Sequence, residues 1–237
     1  MTDSIPLDLG GHSVTVTVKR SALAKRMSLR IDPVRGPVIM LPPKAKLAEA
    51  ERFLIAHRIW LAERLARLPG KVALTDGAQV PILGVPHPIR HAPEAKRGVW
   101  VEDGALVVSG RAEHVGRRVA DFLKAEAKRL ILPQAHDLAA RLDRKPGKIS
   151  VKDTRSRWGS CSSAGDLAFS WRLVLAPEWV LTYVVAHEVA HLVEMNHSPA
   201  FWAVVDGLVG DSHAPRRWLK SHGPGLHRFD ACANTGA

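Results

Sequence analysis

The chain has 237 residues, of which 46% are hydrophobic and 24% are charged, a composition typical of globular proteins and unlike that of a disordered chain. Its formal net charge of +11 favours acidic partners such as nucleic acid, nucleotides or acidic peptides, although a solvated basic surface explains it equally well. The two cysteines exclude a disulfide framework and a cysteine-rich zinc site, and we expect a reducing, cytoplasmic location.

The apolar segments of the sequence predict no membrane attachment. The first residues, MTDSIPLDLGG, lack the basic region and long apolar core of a secretory signal. The longest apolar stretch, EWVLTYVVAHEVAHLV, is interrupted by charged and titratable groups and is too short to span a bilayer. We therefore expect no membrane partner. The sequence leaves the oligomeric state open.

Residues 1–110 predict a β-rich lobe with one long helix. Val alternates with polar residues in the first strand, which is the period of a half-buried strand. Two further strands follow after turn residues, so that the predicted strands cover 13–19, 26–32 and 37–43. Apolar residues at helical spacing then predict a single helix over 45–68. Short β segments occupy 72–110, and the last of them is a hairpin with EDG as its turn.

Residues 111–237 predict a mostly helical region that carries a small sheet. A helical pattern covers 111–143 and contains Pro133, which is expected to kink or divide that helix. A strand near 148–153 follows, and RSRWGSCSSAGDLAFSWRL reads as strand, small-residue turn and strand. We predict an α+β fold with two lobes, 1–110 and 111–237, that no flexible linker separates.

The last third of the chain is predicted to be helical. One helix begins at Pro177, a favoured first residue, and its apolar periodicity runs to about Met195. Asn196 is the expected left-handed residue that ends it. Ser198 and Pro199 then offer an N-cap and a first helical residue for a helix that ends near Gly210.

The segment VVAHEVAHLVEMNHSPAFW places three histidines and a glutamate within eleven residues. Residues four apart share one face of a helix, so His187 and His191 can direct imidazole nitrogens at one point, about 2 Å from a zinc ion. Glu188 lies beside them and can reach a water on the metal without being a ligand. This HExxH pattern is typical of metal-dependent hydrolysis.

The third ligand of a hydrolytic zinc site has to come from outside the helix. His197 follows His191 by six residues, the spacing of the metzincins, which have Gly where this chain has Glu194. A turn at Asn196 would bring His197 back toward the helix. Asp206 and His213 are alternative third ligands.

Two explanations of the histidine cluster do not involve a catalytic metal: a metal-free buried cluster and a structural zinc site. A metal-free buried cluster would need a hydrogen-bond partner for every ring nitrogen and for the carboxylate. A structural zinc would usually have four protein ligands and favour Cys. It would also have no use for a base beside its ligands. The catalytic explanation fits the residue types better.

The chain resembles the YgjP-like family of zinc metallopeptidases, relatives of the SprT-like zincins. The resemblance lies in RWGSC at 157–161, in SWRL at 170–173, in HEVAH at 187–191 and in NHSP at 196–199. It implies a zincin-like helical metal-binding domain with a small sheet behind the β-rich N-terminal lobe. It also implies one zinc ion held by His187, His191 and His197, with Glu188 as general base.

The resemblance leaves two activities open, because family members are named both as metallopeptidases and as metal-dependent UTP pyrophosphatases. Peptide-bond hydrolysis is our leading hypothesis, since HExxH most often serves amide hydrolysis. A nucleotide substrate is the alternative, although no phosphate-cradling glycine loop is present. A non-enzymatic zinc-bearing interaction domain is the third, and recruitment of nucleic acid by the basic surface is a further hypothesis about partners.

Three side chains are candidates for stabilising the transition state or binding substrate. Tyr183 stands one helical turn before His187, and Arg155 and Arg157 lie in the segment expected beside the metal helix. Structural packing of Tyr183 and ion pairing of the arginines are the competing explanations. The small residues of RWGSCSS could bring a strand close to a bound peptide, form an anion-binding turn, or only pack Trp158.

Overall fold

The computed structural model describes residues 3–11, 13–32, 36–66, 70–154 and 156–230. The chain divides into two compact units, Met1–Gly70 and Lys71–Ala237. This division precedes the boundary predicted near residue 110. The reason is packing: Ile89 and Leu106, from the β segments before residue 110, are buried in one core with Leu123 and Ile131 from beyond it.

The described residues of the first unit form a four-stranded sheet and two helices. Its elements are β1 (Ser4–Asp8), β2 (Ser13–Arg20), β3 (Ser28–Asp32), β4 (Gly36–Leu41), α1 (Leu47–Ala56) and α2 (Arg58–Ala66). The strand order is β1-β2-β4-β3, with β2 and β4 parallel and the other pairs antiparallel. Val16, Ile39 and Leu41 of the sheet share a core with Leu54 and Leu61 of the helices.

The three strands predicted in the first unit are confirmed, but the single predicted helix is two helices. The break is at His57, a turn residue between α1 and α2. Its imidazole stacks on Phe53, with ring centroids 4.1 Å apart, and its Nδ1 lies 2.8 Å from the Phe53 carbonyl oxygen. The side chain thus binds the end of α1 rather than continuing the apolar face. The predicted end at 68 lies outside the described residues.

The described residues of the second unit form three small sheets and several helices. Its strands are β5 (Val72–Ala73), β6 (Gln79–Ile82), β7 (Val85–Ala92), β8 (Val99–Glu102), β9 (Ala105–Ser109), β10 (Ile149–Lys152), β11 (Gly159–Cys161), β12 (Leu167–Ser170) and β13 (Phe229–Asp230). The sheet orders are β6-β7-β9-β8, β10-β12-β11 and β13-β5. Its helices are α3 (Val115–Arg141), α4 (Glu178–Ala190), α5 (Pro199–Val209) and α6 (His213–Leu226), with short 3-10 helices at Ala112–His114 and Trp171–Leu175.

The hairpin predicted at EDG is confirmed as the connection from β8 to β9. Asp103 and Gly104 have φ values of 50° and 72°, the pair of positive values that a two-residue type I′ turn needs. The small-residue turn predicted between β11 and β12 is also confirmed, because these strands pair antiparallel.

Pro133 does not divide the long helix α3, contrary to one of the two outcomes expected from the sequence. The helix runs through Pro133 without a break and is 27 residues long in all. Buried residues recur at helical spacing on both sides of the proline, including Leu123, Ala127, Ile131 and Ala135. This continuous buried face outweighs the loss of one backbone hydrogen bond, whose cost with the proline clash is about 3 kcal/mol.

The helix that carries the HExxH pattern is shorter than predicted. It ends at Ala190, with His191 as its C-cap, and not near Met195. Asn196 is not left-handed: outside glycine, the described residues with positive φ are Leu83, Asp103 and Asp143. The final helix α6 covers 14 residues, His213–Leu226.

No helix in the described part of the chain combines the length and the apolar character needed to cross a bilayer.

Candidate metal centre

Helix α4 is the central helix of the second unit and supplies two of the histidines. It is buried on nearly every side, although its many Val residues are modest helix formers. Burial against α3, α5 and α6 outweighs that weak propensity. His187 and Glu188 lie in its last turn, and His191 caps its end. The apolar helix therefore fixes the direction of these polar side chains.

The third histidine reaches the helix through a tight turn. Ser198 N donates to the Asn196 carbonyl oxygen at 2.8 Å, which closes a three-residue turn with His197 at its centre. Ser198 is also the N-cap of α5, where its hydroxyl oxygen accepts a hydrogen bond from Phe201 N at 3.3 Å. The chain reversal that the sequence assigned to a left-handed Asn196 is thus made by this turn and this cap.

The three imidazoles converge on one point. One ligand nitrogen from each of His187, His191 and His197 lies within 4.8 Å of the other two. The Nε2 atoms of His187 and His197 are 3.1 Å apart. Two nitrogens bound to one tetrahedral zinc lie about 3.3 Å apart, since each Zn–N distance is about 2.0–2.1 Å. The spacing therefore fits a single small metal ion.

The opposite ring nitrogens of two of these histidines contact protein groups. His191 Nδ1 lies 3.0 Å from the Glu194 carbonyl oxygen. A carbonyl accepts only, so this contact places the proton on Nδ1 and leaves the Nε2 lone pair for a metal. His187 Nδ1 lies 3.4 Å from the Tyr183 hydroxyl, a long contact that nevertheless orients the ring.

Two aromatic residues that the sequence analysis did not assign to the site, Phe201 and Trp202, pack against the histidines. The Phe201 ring contacts all three imidazoles, with centroid distances of 5.0, 4.5 and 4.7 Å to His187, His191 and His197. Trp202 stacks on His197 at 5.8 Å, and the Arg216 guanidinium lies 4.2 Å from the centre of the Trp202 ring. The signal that could have identified them is their position in the sequence, shortly after His197 and in the first turn of the helix that follows it.

Glu188 is buried and lies against a glycine of strand β11. Its exposed fraction is 6%. A Cβ atom at Gly159 would lie 2.4 Å from Glu188 Cγ and 2.6 Å from its Oε1, far inside van der Waals contact. Any side chain at residue 159 would therefore have to displace the Glu188 carboxylate, so the glycine lets the strand and the carboxylate lie in close contact.

The electrostatics of the site follow from burial. Burial raises the pKa of Glu188 to about 7, and the Arg157 guanidinium acts in the opposite direction. Burial, and after it the neighbouring histidines and Arg216, lowers the pKa of His187 to about 4. Burial also lowers the pKa of His191. The two imidazoles are therefore neutral near pH 7, as metal ligation requires.

The histidines and Glu188 line an open pocket of about 300 Å³. Arg157 and Met195 line it together with the strand residues Gly159, Ser160 and Cys161. Among the described lining residues, Arg157 alone carries a permanent positive charge. Arg155, the other arginine singled out in the sequence, lies outside the described residues.

The remaining candidate side chains lie away from the pocket opening. Tyr183 is buried, and burial raises its pKa to about 12, so its hydroxyl stays protonated beside His187. Asp206 accepts a hydrogen bond from Ser212 N at 3.2 Å, and His213 donates its own backbone N–H to Asp211. Neither Asp206 nor His213 belongs to the three-histidine group found among the described residues.

Among the described strands, β11 lies at an edge of its sheet, which has the order β10-β12-β11. Ser170 N donates to the Trp158 oxygen and Ser162 N donates to the Asp166 oxygen. Antiparallel pairs alternate between hydrogen-bonded and non-bonded, so Ser160 points its backbone groups toward β12. Gly159 and Cys161 therefore point theirs outward, on the strand that lines the pocket.

The chain was compared with protein families, with curated proteins and with solved structures. The model of the YgjP-like metallopeptidase domain matches residues 25–222. Among solved structures, the metallopeptidase zymogen of Pyrococcus abyssi abylysin is similar at 20% identity, over 41% of this chain and 92% of that one, with a TM-score of 0.33. No curated protein matches the chain. Because the family model covers most of the chain, the protein belongs to the YgjP-like metallopeptidase domain family.

Proposed function

We propose that the protein is a zinc-dependent peptidase in which His187, His191 and His197 bind one zinc ion and Glu188 acts as the general base. One observation carries the proposal. Three imidazole nitrogens lie within 4.8 Å of one another, and a buried carboxylate beside them lines the same open pocket. Catalytic zinc sites combine three protein ligands with an open position for water.

The donor set fits zinc. Imidazole ligands suit zinc and several other transition metals, and the burial of His187 and His191 keeps their imidazoles neutral. When bound, zinc supplies a water of pKa near 7 and polarises the carbonyl of the substrate.

Glu188 moves the proton in the proposed reaction. Its carboxylate accepts a proton from the attacking water and passes it to the leaving amine nitrogen, and general acid–base catalysis of this kind contributes about 10²–10⁴ in rate. Glu188 is only 6% exposed and lies against Gly159, so its carboxylate is held in one place. The Tyr183 hydroxyl and the Glu194 carbonyl keep the imidazoles of His187 and His191 in orientation.

The substrate is an extended polypeptide that pairs with the free edge of β11. The outward backbone groups of Gly159 and Cys161 offer hydrogen-bond donors and acceptors to a strand laid beside them. This pairing recognises backbone N–H and C=O groups and not side chains. It therefore suits unfolded or loop segments, whose backbone groups are available for hydrogen bonds. Arg157 at the rim supplies a positive charge near the substrate.

A matched pair of variants tests the proposed role of Glu188. Glu188→Gln and Glu178→Gln change the same residue type in the same helix, and Glu178 is exposed in its first turn. With zinc-loaded protein and an unfolded, fluorescently labelled polypeptide, we expect Glu188→Gln to lower kcat by at least a hundredfold. Glu178→Gln should stay within twofold of the parent, and both variants should bind one zinc.

Two results would contradict the proposed function. One is polypeptide cleavage by Glu188→Gln at the parental rate with zinc in place. The other is hydrolysis of UTP to UMP and pyrophosphate that depends on Glu188 while polypeptide is left intact, which would assign the site to nucleotides.

The ligand role of His197 has its own test. His197→Ala should lower zinc affinity strongly, because it removes one of three ligands and exposes the ion to water. Metal content after dialysis against a competing chelator measures this directly. Stoichiometric zinc in the dialysed variant would show that another group is the third ligand.

A further inference from the structure

His197 differs from the other two histidines of the metal centre in how its ring is held. The Nδ1 atoms of His187 and His191 contact the Tyr183 hydroxyl and the Glu194 carbonyl oxygen. Within the described part of the chain, the polar contact of the His197 ring is the one between its Nε2 and His187 Nε2. That contact lies on the side where the three imidazoles converge. Metal-binding histidines usually have a hydrogen-bond partner on the other ring nitrogen as well.

The indole of Trp202 contacts the His197 imidazole instead. The two ring centroids are 5.8 Å apart and the ring planes are within 29° of parallel, which is inside the range of favourable offset stacking. Phe201 lies against the same imidazole at 75° to its plane. His197 is exposed, whereas Trp202 is half-buried and packs on the core of the second unit. The stack therefore connects an exposed imidazole to the packed part of the protein.

The guanidinium of Arg216 in turn contacts the Trp202 indole. Its central carbon lies 4.2 Å from the centre of the indole ring, well inside the limit of about 6 Å for a cation–π interaction. Within the described part of the chain, no carboxylate lies at ion-pair distance from this guanidinium. The orientation of the Arg216 side chain is therefore set by the indole and not by an acidic partner.

A second contact between α5 and α6 keeps Arg216 beside Trp202. The Asp206 carboxylate accepts a hydrogen bond from Ser212 N at 3.2 Å. Asp206 follows Trp202 by four residues in α5, and Arg216 follows Ser212 by four residues at the start of α6. Residues four apart lie on one helix face. The Asp206–Ser212 hydrogen bond thus holds the start of α6 in the position from which Arg216 reaches the indole.

The stack on Trp202 favours an imidazole that is bound to a metal. Such a ring shares part of the positive charge of the ion, and a positive group within about 6 Å of an indole centre is attracted to the face of the indole. The centroid distance of 5.8 Å between Trp202 and His197 is within that limit. The stack should therefore be stronger with the metal present than without it.

We propose that Trp202 is a positioning residue of the metal centre. Its indole, held by Arg216, keeps the His197 imidazole oriented for metal binding and slows release of the ion. The inference rests on the three-histidine zinc site of the proposed function. It assigns to an aromatic stack the part that hydrogen bonds have for His187 and His191. Removing the outer partners of metal ligands typically changes metal affinity or activity by about 10–100-fold.

The rate of zinc release tests the proposal. Zinc-loaded, full-length protein is mixed with an excess of a chromogenic chelator, and the first-order rate constant is measured. We expect Trp202→Leu to release zinc at least tenfold faster than the parent chain. Trp202→Phe keeps an aromatic face and should stay within about threefold. Trp179→Leu is the matched control, because Trp179 is 48% exposed in the first turn of α4 and contacts Trp218; its release rate should equal that of the parent.

An Arg216→Lys variant keeps the test decisive even if Trp202→Leu disturbs folding. Arg216 is exposed, so this change is compatible with the fold. Lysine keeps the positive charge near the site but lacks the planar guanidinium that stacks on an aromatic face. Zinc release should accelerate about two- to fivefold, and this acceleration cannot come from a change in net charge.

Cobalt separates positioning from a purely structural role. Co²⁺ absorbs visible light strongly in a four-coordinate site and weakly when water raises the coordination number. We expect Trp202→Leu to lower this absorption well below its thermal unfolding temperature, because the imidazole of His197 leaves the ion. Trp202→Phe and Trp179→Leu should keep the parental spectrum. A residue that only stabilises the fold would lower the melting temperature of the metal-free protein and leave the spectrum unchanged.

Three results would overturn the proposal. They are zinc release from Trp202→Leu within twofold of the parent, equal acceleration by Trp202→Leu and Trp179→Leu, and a parental cobalt spectrum in Trp202→Leu. A parent chain that binds zinc and gives any of these results leaves the proposed zinc site intact and removes only the role of Trp202. A parent chain that binds neither zinc nor cobalt would overturn both.

Discussion

Gly159 is the residue at which strand β11 and the carboxylate of helix α4 come closest. A methyl group there would lie 2.4 Å from Glu188 Cγ, so Gly159→Ala has to displace the proposed base. We expect kcat for polypeptide hydrolysis to fall at least tenfold while zinc content stays at one. Gly207→Ala is the matched control, because nothing lies within 4 Å of its added methyl group. Equal activity of the two variants would show that Glu188 tolerates displacement.

Cys161 lines the pocket and is sensitive to the charge of Glu188. Burial raises the pKa of its thiol above the ordinary 9.0, and the carboxylate of Glu188 adds to that rise. The thiolate is the reactive form, so alkylation by iodoacetamide should accelerate with pH and reach its midpoint above 9.0.

The alkylation experiment is done in a Cys232→Ser background, with rates measured by mass spectrometry between pH 7 and pH 11. Glu188→Gln removes the neighbouring negative charge, so it should move the midpoint to lower pH and speed the reaction at pH 8. A midpoint that is the same with and without Glu188 would contradict the proximity of the two groups.

At the scale of elements, the start of α5 determines where His197 lies. Ser198 caps this helix through its hydroxyl, and loss of an N-cap costs about 1 kcal/mol. We expect Ser198→Ala to lower the free energy of unfolding by about that amount in urea denaturation. It should also weaken zinc binding several-fold, because the turn around His197 loosens. Ser198→Thr keeps the capping hydroxyl, so its free energy of unfolding and its zinc affinity should both match those of the parent chain. If Ser198→Thr weakened zinc binding as much as Ser198→Ala does, the cap would not be what positions His197.

A second prediction at this scale concerns the edge of β11 that faces away from β12. Cys161 points its N–H away from β12, so Cys161→Pro removes a donor from the substrate side and none from the ladder. One hydrogen bond is worth about 0.5–1.5 kcal/mol, and we expect kcat/KM for polypeptide to fall about two- to tenfold. Cys161→Ala keeps the N–H and should behave like the parent chain. Equal kcat/KM in the Pro and Ala variants would argue against backbone pairing at this edge.

At the scale of the whole molecule, each compact unit has a buried core of its own. The core of Lys71–Ala237 includes Leu123, Phe169 and Val185, and the core of the first unit includes Val16, Ile39 and Leu54. We therefore expect a fragment of residues 71–237 to unfold cooperatively by itself and to bind zinc. Circular dichroism melting with and without zinc measures both properties. A gradual, non-cooperative melt would show that this core is incomplete without the first unit.

The parts of the fold that depend on local pattern were predictable. Alternation of apolar and polar residues predicted β2, because a half-buried strand exposes every second side chain. The strands β3 and β4 were predicted together with the turn residues between them. The EDG hairpin followed from the preference of Asp-Gly for positive φ. The two HExxH histidines were predictable as neighbours, since a spacing of four places residues on one helix face.

Other features depended on packing between distant segments, and sequence reasoning placed them wrongly or missed them. The helix with Pro133 stays whole because residues on both sides of the proline enter one core. Phe201 and Trp202 contact the imidazoles only because α5 packs on α4. The close approach of Gly159 to Glu188 joins a strand and a helix that are 29 residues apart in sequence.

The sequence by itself determined the residue types and the periodicities: an α+β chain, a helical pair of histidines with a glutamate between them, and a third histidine close behind. These are local properties, fixed by spacing along the chain. Tertiary structure decided where α4 ends, how the turn at His197 returns to it, and which strand edge borders the pocket. It also decided that the units divide at residue 70. Each of these depends on which distant apolar residues are buried together, and burial is a property of the folded chain as a whole.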